Sequence, residues 1–249
     1  MNKMINSEIS IGSKITLSRN LKGFPFPDRM NDEQKRGVND LVCTAVANSG
    51  ECERFGFKRI DMEFASNDVI EHLFYKSLIT EDFIYERQNK ILLLSKDENI
   101  SIMLPEQDHI KITVNSDYLE LEEAYMIADV IDNAISEELP IAFNEQLGFL
   151  TQNPSDIGTG LRVATYLDLK AAEQLGEIYH ISESVSKIGF SLIKINLPRL
   201  SGLSSCYRLS NSITLGITEK ASIGNLKSIA EQIIDREEAF RESIKKLFS

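Results

Sequence analysis

The stretch Asn144–Arg162, NEQLGFLTQNPSDIGTGLR, carries more information than any other part of the chain. Pro154 sets a turn, Asp156 adds a short acid, and the pair Gly158 and Gly160 lets backbone N–H groups come close to an anion. Two readings fit this loop: a cradle for an anion, or a structural turn ahead of a buried strand. The strand follows at once. GLRVATYLDL (160–169) is short, β-branched and partly alternating, as a strand with one buried face should be.

Outward from there, NISIML (99–104), HIKITV (109–114) and GFSLIKINL (189–197) have the same character, and an antiparallel sheet is their economical arrangement. Helical spacing alternates with these strands. Asn31–Ser49 repeats Val38, Leu41, Val42, Ala45 and Val46, with Gly50 as the expected stop. Leu119–Leu139 repeats Leu121, Ala124, Tyr125, Ala128, Ile131 and Ile135, with acids on its other face and Pro140 after it. The segment 218–248 repeats Ile223, Leu226, Ala230 and Ile233, which predicts a long terminal helix with Gly224 as its expected point of interruption. Strands with helices over one face make an α+β domain.

The 249 residues, 42% of them hydrophobic, can fill one sizeable core, and no Pro/Gly/Ser-rich linker, repeat or low-complexity tract divides them. One domain over 1–249 is expected. The formal charge of −11 argues against nucleic acid, whose phosphates require a basic footprint. No apolar run is long enough to span a bilayer, and MNKMINSEIS lacks the apolar core of a signal peptide, so a cytoplasmic protein away from membranes is expected. Cys43, Cys52 and Cys206 are few, odd in number and without metal-ligand spacing, so neither a disulfide framework nor a metal site is indicated.

Four blocks, in order and spacing, resemble the ATP:guanido phosphotransferases, and the bacterial protein-arginine kinases more than the metabolic arginine and creatine kinases. EISIGSKITLSRNLKGFPFP (8–27) is similar to the family's opening strand and its SSRIRLARNL segment. ILLLSKDENISIMLPEQDHIKI (91–112) is similar to the segment ending in NEEDHLRI. The stretch 144–162 resembles the catalytic signature, and YRLSNSITLGITE (207–219) resembles FQISNQVTLGxSE. The resemblance implies a guanidino-kinase catalytic domain of the glutamine-synthetase-like class, a curved antiparallel sheet flanked by helices that holds a nucleotide. The family's further domains, an N-terminal helical one or a C-terminal one for dimerisation and phosphoarginine sensing, are not expected within 1–249.

Phosphoryl transfer to a guanidinium is mainly positioning and charge neutralisation, which the family meets with a cage of arginines. The two arginines of SSRIR fall here on Lys14 and Thr16, that of NEEDHLR on Lys111, that of GTGLR on Arg162, and that of a later RGxxGE loop on Ile193. Lys14, Arg19, His109, Lys111 and Arg162 are thus the nucleotide-binding candidates, with Asp156, Gly158 and Gly160 in the loop. Lys14 and Lys111 fit a phosphate contact or ordinary strand-edge solvation, and His109 fits the border of a pocket or a satisfied structural role. On the acceptor side, the catalytic glutamate of NEEDH falls on Gln107, the second glutamate on Pro198 and the reactive cysteine on Asn153. Glu106, beside Gln107, is expected to point to the opposite face of a strand.

The resemblance with these replacements implies a pseudokinase that binds ATP or ADP with Mg²⁺ weakly and acts through arginine-containing or phosphoarginine proteins, or through an active kinase or activator subunit. A divergent active protein-arginine kinase and an interaction module without ligand are the alternatives.

Overall fold

The structure, a computed structural model, describes residues 8–196 and 203–247. Its strands are β1 (Ser10–Arg19), β2 (Lys58–Asp61), β3 (Ile91–Leu94), β4 (Ile100–Leu104), β5 (Ile110–Asp117), β6 (Phe143–Asn144), β7 (Gly148–Phe149), β8 (Leu161–Asp168), β9 (Phe190–Lys194) and β10 (Cys206–Asn211). Its α-helices are α1 (Asp32–Asn48), α2 (Gly50–Glu53), α3 (Asn67–Tyr75), α4 (Glu81–Tyr85), α5 (Leu121–Glu138), α6 (Lys170–Gln174), α7 (Ile178–Ser186) and α8 (Glu219–Leu247). Eight strands form one sheet in the order β2-β3-β4-β5-β1-β8-β10-β9, and β6 pairs with β7 apart from it. Every ladder is antiparallel.

The period of two divides the sheet into two unlike faces. One parity carries Ile15 and Leu17 of β1, Ile112 and Val114 of β5, Leu161 and Val163 of β8, and Tyr207 and Leu209 of β10, all in the main core beneath α1, α5 and α8. The other parity is most apolar at the β2–β4 end, where Leu92, Leu94 and Met103 meet Ile70, Leu73 and Phe83 of α3 and α4. There β3, ILLL, is buried on both faces, so it has no alternation to read. From β1 to β9 this second face opens onto a cleft and is largely polar, with Ala164 and Tyr166 among its apolar members.

The three helices read from periodicity are present with altered ends. Asn31 caps α1 through a reciprocal pair, its side chain accepting from Gln34 N at 2.8 Å while Gln34 Oε1 accepts from Asn31 N at 3.0 Å. Leu41 is exposed, and Gly50 is not the stop: Ser49 ends α1 and caps α2, which Gly50 begins. The terminal helix runs through Gly224 without interruption. Burial of Ile223, Leu226, Ala230 and Ile233 against the sheet outweighs the ~1 kcal/mol that a mid-helix glycine costs.

Candidate functional site

Four adjacent strands each place one cation on the uncovered face: Lys111 on β5, Lys14 on β1, Arg162 on β8 and Arg208 on β10, all lining a cleft of about 680 Å³. With strands ~4.8 Å apart, the row extends over roughly 14 Å. Thr16, Ser191 and Ser210 line the same cleft as the cations, and Phe74, Ser77, Ile79 and Thr80 form a wall from the α3–α4 lobe. In a chain of charge −11 this is a local positive field aimed at a hydroxyl-lined hollow, suited to an extended anion.

The protein already engages most of this charge. Lys14 Nζ donates to Ser77 O at 3.0 Å, which ties the floor to the wall. Lys111 Nζ donates to Glu106 Oε1 at 2.8 Å, and Thr80 Oγ1 donates to the same oxygen at 2.7 Å. Burial alone would raise the Glu106 carboxyl. The Lys111 charge, together with hydrogen bonds from Lys111, Gln107 N–H and Thr80, outweighs it and holds Glu106 below its ordinary value. Arg162 donates from Nε to Asp156 Oδ1, from Nη1 to Asn211 O at 3.0 Å, and from Nη2 to Ser155 O at 3.0 Å and Oγ at 2.8 Å. An incoming anion must share this fork with the loop or displace it.

The loop ahead of β8 is built by its own contacts. Asn153 caps a short turn, its Oδ1 accepting from Ser155 N at 3.1 Å and Ser155 Oγ at 3.0 Å. Gly158 has φ +116, and a Cβ there would lie 2.2 Å from Thr214 O; at Gly160, φ +60, it would lie 2.6 Å from Ser18 O. Both glycines are required by this close approach. Their N–H groups donate to Phe149 O and Asp156 O, so the structural-turn reading describes them and they are not aimed at an anion.

The segment after β4 separates by side. Gln107 is exposed, its Nε2 reaching Asp82 Oδ2 at 3.4 Å. Glu106 and Asp108 are buried, but residues 105–109 form a bend after β4 and not a strand, so strand alternation does not apply: Glu106 is the one that turns to the cleft, through Lys111 and Thr80, contrary to the expectation that it would face away. Asp108 accepts from Asn20 Nδ2 at 2.6 Å and Gln152 N at 2.8 Å, clasping the ends of β1 and β7.

Two of the nucleotide candidates do not line the cleft. His109 is fully buried, with Nδ1 accepting from Leu21 N at 2.9 Å and Nε2 paired with Pro25 O at 2.7 Å, which places the proton on Nε2. Burial lowers its pKa, and the neutral ring serves as a structural hub. Arg19 is 1% exposed and belongs to the helix-covered parity of β1. It donates to Asp132, to Glu219 at 3.0 Å and to Thr159 O at 2.8 Å, while its guanidinium lies 3.5 Å from the Phe149 ring centre. Pro198 lies outside the described residues. Arg208 was not among the candidates, although the in-out alternation of Tyr207, Arg208, Leu209 and Ser210 was a signal that could have found it.

The cleft lining fits the phosphates of a nucleotide. It offers a divalent ion little, since the nearby carboxylates Glu106 and Asp156 are held in ion pairs, so Mg²⁺ would arrive on the phosphates themselves. Among the described residues no group of three or more His, Cys, Asp or Glu side chains could hold a metal ion, all three cysteines are free, and no helix is long and apolar enough to cross a membrane.

Comparison with known proteins agrees with this architecture. Residues 37–240 match the profile of the ATP:guanido phosphotransferase C-terminal catalytic domain. A protein-arginine kinase of Clostridium acetobutylicum is 36% identical over 245 residues, 98% of this chain and 71% of that protein. One from Caldanaerobacter subterraneus subsp. tengcongensis is 34% identical over 241 residues, 97% of this chain and 72% of that protein. Among solved structures, the duplicated taurocyamine kinase from Schistosoma mansoni with bound transition state analog components superposes with a TM-score of 0.83 at 22% identity, over 95% of this chain and 34% of that one. Lombricine kinase superposes at 0.81 with 16% identity, over 96% of this chain and 68% of that one. With its sheet, its cleft and most of its length matched in this way, the chain belongs to the ATP:guanido phosphotransferase family, with protein-arginine kinases among its relatives.

Proposed function

We propose that this chain is a nucleotide-binding pseudokinase of the protein-arginine kinase kind, in which guanidino transfer is weak or absent and binding is the function. One observation carries the reading: a row of four cations faces the cleft, yet the carboxylates beside it, Glu106 and Asp156, are both locked in ion pairs. As a guanidinium nitrogen bonds to phosphorus it must release a proton, and a base has to receive it. Gln107 has no basicity, Asn153 is occupied as a turn cap, and Glu106 is a weakened base because Lys111 stabilises its ionised form.

The chain's own residues support the binding half. Lys14, Lys111 and Arg162 neutralise phosphate charge, and Thr16, Ser191 and Ser210 offer hydroxyls in the same cleft. Arginine-containing or phosphoarginine proteins, or an active kinase or activator subunit in the cytoplasm, are the partners we propose for such a domain. A divergent active protein-arginine kinase is the second reading. It is favoured by Glu106, whose carboxylate bridges the floor at Lys111 and the wall at Thr80.

Titration with ATP and ADP, with and without Mg²⁺, tests the first half, with saturable binding expected. Incubation with ATP and arginine-rich protein tests the second, with no acid-labile phosphate expected on arginine. Phosphoarginine formed by the wild-type chain and lost in Glu106→Gln would establish the second reading, and the absence of nucleotide binding would leave an interaction module.

A further inference from the structure

Arg208 differs from the other three cations of the cleft in that, among the described residues, it has no acidic or carbonyl hydrogen-bond partner. It is half-buried on the floor, and among the described residues its Nε is buried without a hydrogen-bond partner and the guanidinium has no ion pair. Its cross-strand neighbours are Tyr166 on β8 and Ile193 on β9, neither of them charged. The surrounding sequence also lacks compensation, for no Asp or Glu occurs between Glu183 and Glu219 in a chain that contains 38 acids. A half-buried guanidinium without a partner is costly, and that cost is removed when an anion occupies the cleft.

Resting on the nucleotide-binding reading, we infer that Arg208 is the principal phosphate-gripping residue of this cleft, a cation supplied from β10 directly across the ladder from Ile193. Lys111 and Arg162 are already neutralised by Glu106 and Asp156, and Lys14 is tethered to Ser77. Arg208 therefore presents the free fork, and its planar, bidentate geometry suits two oxygens of one phosphate. Register supplies a further handle. Directly paired residues point to the same side, so residue 193, exposed on the cleft side of β9, can carry a replacement charge.

The experiment is calorimetric titration of the full chain with ADP, Mg²⁺-ATP and inorganic pyrophosphate, comparing wild type, Arg208→Ala, Arg208→Lys and the double variant Ile193→Arg with Arg208→Ala. Thermal unfolding of each establishes that it is folded. Arg208→Ala is expected to weaken ADP and ATP about ten- to hundredfold and to flatten the salt dependence of binding. Arg208→Lys should recover part of the loss, and the double variant should recover more than Arg208→Ala alone, which a merely structural arginine would not permit. Wild-type nucleotide binding left unchanged in Arg208→Ala overturns the inference and leaves the nucleotide reading standing. Pyrophosphate binding that depends on Arg208, without nucleotide binding, supports the inference and overturns that reading. Binding of neither probe overturns both.

Discussion

Arg19 and Arg208 belong to the same sheet and lead opposite lives. Arg19 lies on the helix-covered face, 1% exposed, with Asp132 and Glu219 on its guanidinium and Phe149 beneath it. Arg208 lies on the open face, and among the described residues no acid pairs with it. The first arginine joins β1, α5 and α8 and spends its donors inside the protein. The second, by the inference above, keeps its donors for a phosphate. Strand parity and the company across the ladder, rather than residue type, determine whether an arginine braces a fold or serves a ligand.

The strongest way to break this comparison is to remove the brace. Arg19→Ala leaves two partly buried carboxylates facing each other, and it is expected to cost about 3–5 kcal/mol in urea unfolding. Nucleotide affinity of the folded fraction should not change. A variant that keeps full stability would show the buried pair to be dispensable.

Arg162→Ala acts on the open face. Nucleotide affinity is expected to fall about tenfold, close to 1.4 kcal/mol, as read by titration. Stability should drop by less than for Arg19, since Arg162 is a third exposed and its contacts bind only the loop 155–156 and Asn211 O. Equal stability losses in the two variants would erase the distinction between faces.

Asn153→Ala separates site from scaffold at the loop. The cap to Ser155 N disappears, with an expected cost of about 1 kcal/mol and no change in nucleotide affinity. A large change in affinity would mean that Asn153 touches ligand.

The smallest expected effect is a pH dependence on the closed side. His109 is held neutral by burial, so its folded pKa lies below the ordinary 6.5 and the unfolded chain binds the proton first. Its contribution to stability is complete above pH 6.5 and is lost as pH falls toward the folded value. Glu106, with a lowered pKa, begins to lose its contribution only below 4.5. Unfolding curves of wild type and His109→Gln, collected from pH 7 down to about 5, should therefore converge, with the variant the flatter. A wild-type stability that rises over this window would contradict the neutral assignment.

Much of the fold was legible because its signals are local. The periodicities of α1, α5 and α8 and the alternation of β4, β5 and β8 repeat within a few residues, and the ordered blocks from 8 to 219 pointed to the family. Where local signals compete with packing they misled: Gly224 reads as a break, yet sheet contacts carry α8 through it. Strand β3, buried on both sides, had no period to display.

The site was legible by residue type but not by role. Lys14, Lys111 and Arg162 could be placed from the order of the blocks, and they line the cleft. Whether a basic strand residue is a strut or a ligand depends on what faces it, and Arg19 meets its partners 113 and 200 positions away along the chain. By itself the sequence determined the main helices and strands and pointed to the family. Only the tertiary structure decided which cations are spent and which remain open, because an ion pair forms between faces brought within a few ångströms, and that proximity is a property of the folded sheet.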